Sequence, residues 1–223
     1  MRILAILLAL FLLVSCHSSQ TVVSTDVALY LNCRIYKPLL ISTQMSQEFP
    51  RIHAQMLRAI EEWEDVVPVD FHVRYGFAGP WGTILLNYKI PPEEAVEAAV
   101  YYLGLYNSND PSIIINKKME GDTEKFTDQV IFETCMHELG HALGLPHIIA
   151  QKPDGTYSSG KGRDIVLPTI KEAKQCIMFP TISGETDGRL KAIEILWAHH
   201  ALMHDPNLGV LPDGCVLRRP DVL

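Results

Sequence analysis

Residues 137 to 147 read His-Glu-Leu-Gly-His-Ala-Leu-Gly-Leu-Pro-His. His137 and His141 are four residues apart, so on a helix they share a face and can reach one ion. Glu138 lies about 60° around that helix from His141. It is turned enough to address a water beside the ion instead of the ion itself. Gly144 falls where a left-handed residue lets the chain turn sharply after a helix. The turn brings His147 back as a third nitrogen. Three protein ligands leave a tetrahedral position open, which marks a catalytic zinc site and not a structural one. An amphipathic helix with a few surface histidines is the alternative, and it leaves the offsets of Gly144 and His147 unexplained.

The pattern His137-Glu138-x-x-His141-x-x-Gly144-x-x-His147 resembles the zinc signature of the metzincin metallopeptidases. Downstream, Ile177-Met178-Phe179-Pro180 resembles the Met-turn of the matrixin branch, in which a methionine lies on a tight turn beneath the metal. Met203 is a second candidate, inside an expected C-terminal helix. The resemblance implies an α+β fold: a metzincin-like zinc peptidase domain with a twisted mixed sheet, a zinc-site helix, a Met-turn and a C-terminal helix. It also implies one catalytic Zn2+ on His137, His141 and His147, with Glu138 as general base and a protein or peptide as substrate. Zinc would bring the pKa of its water toward neutrality, and Glu138 would take the water's proton and pass it to the leaving amine. A strand just before the zinc helix would form the sheet edge that pairs with substrate, by position Ala98 to Leu103.

The chain departs from that family in three places. Met178 lies 31 residues after His147, so residues 151–174 read as an inserted surface loop. Ile148 follows the third histidine, which leaves the subfamily open. Pro180 stands where astacins and serralysins carry a tyrosine. No inhibitory cysteine segment is visible upstream, and no prodomain is expected. Calcium is possible at Glu120, Asp122, Asp154 or Asp164, as in loops of the resembling family, but no ordered oxygen-ligand spacing supports it.

Working toward the N-terminus, Met1-Arg2 precedes an apolar run from Ile3 to Val14, shorter than a membrane span and read as a signal segment over residues 1–15. Leu13-Val14-Ser15-Cys16 resembles a bacterial lipobox, which would place lipid on Cys16. Ordinary secretion, with cleavage near Ser15 or Ser18, is the competing reading. Both place the domain outside the cytoplasm, as a lipid-anchored envelope protein or a secreted one. Membrane contact is expected only through that lipid. Residues 16–28 read as a tether and 29–223 as the peptidase domain. Cys33, Cys135, Cys176 and Cys215 allow two disulfides, three connectivities, or buried free thiols. Stacking of the zinc helix on the Met-turn in the resembling fold implies Cys135–Cys176, leaving Cys33–Cys215.

The formal net charge of −7 argues against a nucleic-acid partner, which would need clustered Lys and Arg. Tyr30 to Tyr36 reads as a first strand. Pro50 opens a helix to about residue 65, with Ile52, Met56, Ile60 and Trp63 on one face. Asp70 to Tyr75, Thr83 to Tyr88, Ala98 to Leu103 and Ser112 to Asn116 read as short strands. Thr127 or Asp128 caps the zinc helix, which runs to about Leu143. Asp187 to Met203 forms a closing helix. His199, His200 and His204 cluster there, but no adjacent carboxylate makes them a second metal site. A zinc-stabilised envelope binding or adhesion lipoprotein with little turnover is the reading from another class. Glu138 argues against it, because a structural ion has no use for a base beside an open position. An aminopeptidase on the same scaffold would need a group to hold a free amino terminus, and none is identifiable.

Overall fold

Strand β2 (Ile35–Ser42) shows how the sequence makes its sheet. Ile35, Leu39 and Ile41 alternate into the core while Tyr36 stays exposed, as the two-residue period of a strand demands. β3 (Val69–Gly76) repeats the pattern, with Val69 and Phe71 buried and Asp70 and His72 outward. The two strands are parallel, so a crossover must join them. That crossover is the short helix α1 (Thr43–Glu48) and then α2 (Pro50–Val66). β4 (Ile84–Leu86), β5 (Gly104–Asn107) and β6 (Ser112–Ile115) complete a five-stranded sheet in the order β3-β2-β4-β6-β5. Every neighbouring pair is parallel except β5 and β6, so the antiparallel strand β5 lies on an edge.

The computed structural model describes residues 30–31, 33–76, 84–86, 103–107, 112–150, 164–181, 185–204 and 217–218. The expected signal segment (1–15) and tether (16–28) lie outside the described residues. So do Thr83, Asn87, Tyr88, Ala98 to Tyr102 and residues 151–163. Among the described residues, no helix is long and apolar enough to cross a membrane.

Pro50 stands at the first position of α2, but Phe49 supplies no side-chain cap. The cap comes from the one-turn helix α3 (Lys118–Gly121) instead. Glu120 accepts the N–H of Arg51 at 3.0 Å and of Ile52 at 2.9 Å, satisfying two of the helix's orphan donors and complementing its dipole. Ile52, Met56, Ala59, Ile60 and Trp63 form the buried stripe of α2. It packs on α4 (Asp128–Ala142), which also lies against β5 and β6. Thr127 caps α4 as expected, its hydroxyl accepting the N–H of Val130. α4 is buried on most sides, Phe132, Cys135, Met136 and Leu139 among its core residues. Trp63 is fully buried, and its indole N–H donates to the Met136 carbonyl at 3.0 Å, fixing α2 to α4.

The chain is therefore a mixed α and β fold, as expected, but four local expectations need correction. Tyr30 to Tyr36 is not one strand. β1 (Tyr30–Leu31) pairs with β9 (Leu217–Arg218), and β2 begins only at Ile35, because Arg34 between them turns its guanidinium to the carbonyls of Val69 and Glu64. The expected edge strand, Ala98 to Leu103, lies outside the described residues except for Leu103; among the described residues the antiparallel edge strand is β5. Residues 164–174 are not loop: they hold β8 (Ile165–Leu167) and α5 (Ile170–Lys174), with β8 running parallel to β7 (Ile148–Ala150). The closing helix α6 runs Ala192–His204, starting five residues late. Glu194 reaches back to the Lys191 N–H at 2.8 Å, a capping contact that sets the helix start there.

The fourth correction concerns Cys135 and Cys176, which are not bonded to each other: both are free, buried thiols. The turn and α4 do stack, but through Gly140 and Met178, so the sulfurs need not meet. Burial holds both thiols protonated, pushing Cys176 up to about 12 and Cys135 higher. Cys33 is disulfide-bonded, and its expected partner Cys215 lies outside the described residues. The β1–β9 pairing, Leu31 opposite Leu217, sets those two stretches side by side.

Candidate metal centre

α4 ends in a Schellman turn. Gly144 takes φ +89°, donating to the His141 carbonyl at 2.9 Å, while Leu145 donates to Gly140 at 2.9 Å. Only a residue tolerant of positive φ fits here, which accounts for the glycine. The turn has two effects on the histidines. It reverses the chain so that His147 comes back toward α4, and it presents the Leu145 carbonyl to His141. His141 Nδ1 lies 2.8 Å from that oxygen. His137 Nδ1 lies 2.8 Å from the carbonyl of Ile177, in the turn that carries Met178.

A carbonyl oxygen can only accept, so both Nδ1 atoms carry the proton and both Nε2 atoms are bare lone pairs. The Nε2 atoms of His137 and His141 are 3.1 Å apart, and those of His141 and His147 are 3.1 Å apart. The first of these contacts cannot be a hydrogen bond, since neither neutral ring has a proton to give. A second proton is also disfavoured. Burial pushes His137 down to about 3 and His141 to about 4, with the neighbouring imidazoles adding to the effect, and burial lowers His147 as well.

Converging lone pairs are suited to a cation between them. Two nitrogens 3.1 Å apart, each about 2.0–2.1 Å from a zinc ion, subtend an angle of about 100° at the metal, within reach of a tetrahedral site. The donor set therefore fits a divalent metal. The backbone carbonyls supply the outer contacts that fix the tautomer of a ligating histidine. Among the described residues, these three are the only cluster of three or more side chains able to hold a metal.

The Met178 turn braces the site from below. A Cβ built on Gly140 would overlap the Met178 sulfur and come within 3.2 Å of Trp63, so only glycine lets the thioether lie on the helix between the two ligands. Met178 is fully buried, whereas Met203, in α6, is only partly so. Glu194, fully buried on α6, accepts the Met178 N–H at 2.7 Å with one carboxylate oxygen and the Lys191 N–H with the other. Burial drives its carboxyl up to about 7, against the pull of the Lys191, Met178 and Ile177 N–H groups. Glu194 was not visible as a site residue in the sequence; a lone acid between Ile193 and Ile195 was the available signal. Ile148 donates to the Met178 carbonyl at 2.9 Å, tying the neighbour of His147 to the same turn.

Glu138 is buried beside the edge strand. A Cβ on Gly104 would stand 2.6 Å from Glu138 Cγ and 2.7 Å from Oε1, so the first residue of β5 leaves the carboxylate its room. Other histidines among the described residues are engaged elsewhere. His199 is buried with its ring toward the Val66 carbonyl, the His200 and His204 rings meet at 4.6 Å with a 57° tilt, and His53 meets the Tyr75 hydroxyl at 3.0 Å. Of the calcium candidates, Glu120 holds the start of α2, Asp122 accepts the Lys125 N–H, and Asp154 lies outside the described residues. Asp164 faces His147. No protein-family model matches the chain, and no curated protein matches it.

The depressed histidines have a pH signature. Their folded values lie below the unfolded 6.5, so the unfolded chain binds more protons in acid. The metal-free fold keeps this contribution above pH 6.5 and loses it as pH falls toward about 4 and then about 3. Zinc binding to the folded chain displaces no protons from His137 and His141 near neutrality, so affinity is expected to change little from pH 7 to pH 5.5. Three ordinary imidazoles would lose affinity steadily below about pH 6.5. Competition with a chelator at each pH checks this; a tenfold weakening by pH 5.5 would show that the ligands titrate normally.

Proposed function

We propose that this chain is a zinc-dependent endopeptidase with a metzincin-like, matrixin-branch catalytic domain. The observation that carries the proposal is the three-histidine convergence, with Nε2 lone pairs of His137 and His141 at 3.1 Å and both Nδ1 protons held by carbonyls. Three further features support it: the Glu138 carboxylate buried on the same helix as His137 and His141, the Met178 thioether seated on Gly140, and the antiparallel edge strand β5 next to Glu138. The Met178 turn corresponds in this reading to the family's Met-turn.

Zinc, when bound, supplies Lewis acidity toward a peptide carbonyl and acidifies a coordinated water. Glu138 takes the proton from the attacking water and delivers it to the departing amine nitrogen, so the peptide bond is cleaved without a covalent enzyme intermediate. Gly104 keeps the carboxylate in position for both transfers. The outer edge of β5 offers backbone N–H and C=O groups to an extended peptide, which orients a substrate whatever its side chains are. Met178 shapes the floor beneath the ligands without entering their set. The setting proposed is extracytoplasmic, on the strength of residues 1–16, with Cys16 as the lipid site if the protein is anchored.

Glu138→Gln is expected to keep stoichiometric zinc and lower kcat on a peptide-library substrate by at least about 100-fold. Retained zinc with near-native cleavage would remove Glu138 from the role of base. Stoichiometric zinc in the unaltered chain with no cleavage of any peptide would favour the binding-module reading. Gly104→Ala probes the same group from the opposite side. Its methyl pushes Glu138 aside, and a displacement of this order is expected to cost about 100-fold in kcat while zinc content stays native. Equal kcat in the alanine variant would show that the carboxylate does not depend on this packing.

A further inference from the structure

The third ligand is held differently from the other two. His137 and His141 project from α4, and each has its ring nitrogen fixed by a carbonyl. His147 lies past the helix end, on extended chain leading into β7. Nothing in its own segment fixes it as a helix would.

What meets it is the chain returning after residues 151–163. β8 pairs with β7 in parallel, Ile148 opposite Ile165 and Ala150 opposite Leu167, and Ile165 donates to the His147 carbonyl at 2.9 Å. One residue earlier stands Asp164, partly buried, with its carboxylate facing the backbone N–H of His147 and within electrostatic reach of the His141 ring. Both polar groups around His147 are thus addressed by two consecutive residues, the C=O by Ile165 and the N–H by Asp164. The carboxylate is not in the ligand cluster itself, whose atoms come from His137, His141 and His147.

We propose that Asp164 is a positioning residue for the metal centre: it holds the His147 backbone in register with α4, and its negative charge lies beside the cation those ligands bind. The inference rests on reading the three histidines as a metal site, though not on any peptidase activity. A free carboxylate would pay for its partial burial with nothing in return, whereas here it meets an N–H donor and, in the loaded protein, a nearby positive charge. Outer contacts of this kind commonly change metal affinity by about 10- to 100-fold. The sequence placed Asp164 only among possible calcium ligands, because the 16 residues between it and His147 hide their adjacency.

The test compares Asp164→Asn and Asp164→Ala with the unaltered full-length chain, each loaded with zinc and then challenged with excess chelator. Asparagine keeps an acceptor for the His147 N–H and removes the charge; alanine removes both. Zinc release is expected to be slowest in the unaltered chain, faster with asparagine and about 10- to 100-fold faster with alanine. The visible bands of the cobalt-loaded alanine variant should shift as the third ligand loosens. Release and cobalt spectrum unchanged in Asp164→Ala would overturn the proposal. If the unaltered chain itself holds no stoichiometric zinc, the reading of the three histidines fails first, and the two failures are distinguishable. The isosteric asparagine variant keeps the comparison decisive if the alanine variant folds poorly.

Discussion

A neutral imidazole has one proton to share between two nitrogens, and at His137 and His141 backbone carbonyls take that proton at Nδ1. This choice of tautomer is the constraint on which the rest of the site depends. It leaves Nε2 lone pairs pointing at each other at 3.1 Å in a pocket where burial suppresses a second proton. Such an arrangement is repulsive by itself and becomes favourable around a cation. The carbonyls that enforce it do not come from α4's own hydrogen-bond ladder. One belongs to Leu145, freed by the Schellman turn at Gly144, and the other to Ile177, thirty-odd residues downstream.

The surrounding structure serves to put those two oxygens in place. Gly140 has no side chain, so Met178 can lie on the helix and bring the Ile177 carbonyl within 2.8 Å of His137. Glu194 then pins the Met178 turn to α6 and caps that helix with its other oxygen. Trp63 locks α2 to α4 through Met136, one residue before His137. On the opposite flank, Gly104 opens the sheet edge to the Glu138 carboxylate. Glycines at 104, 140 and 144 therefore answer three different needs: space for a carboxylate, space for a thioether, and a left-handed turn.

The site's core was legible because its spacing is local. Helical geometry brings His137, Glu138 and His141 to one region, and Gly144 announces the turn that returns His147. The long helices were legible for the same reason, α2 from its apolar stripe and α4 from its Thr127 cap. What could not be read is non-local. Glu120 caps a helix nearly seventy residues away, and Glu194 binds a turn sixteen residues upstream. The contact between Gly104 and Glu138 is likewise one that no local pattern announces. The Cys135–Cys176 expectation failed in a similar way: adjacency of segments was inferred correctly, but Gly140 and Met178 fill the contact. Tyr30 to Tyr36 alternates without a break, and alternation alone does not separate one strand from two.

Zinc K-edge X-ray absorption on the purified, zinc-loaded chain tests the central claim most directly, because it reads the donor atoms and their distances together. The account predicts one zinc per chain, with three imidazole nitrogens and one further light atom in the first shell at about 2.0–2.1 Å. A sulfur scatterer at about 2.3 Å, which Cys135 or Cys176 would contribute, or the absence of bound zinc, would contradict it.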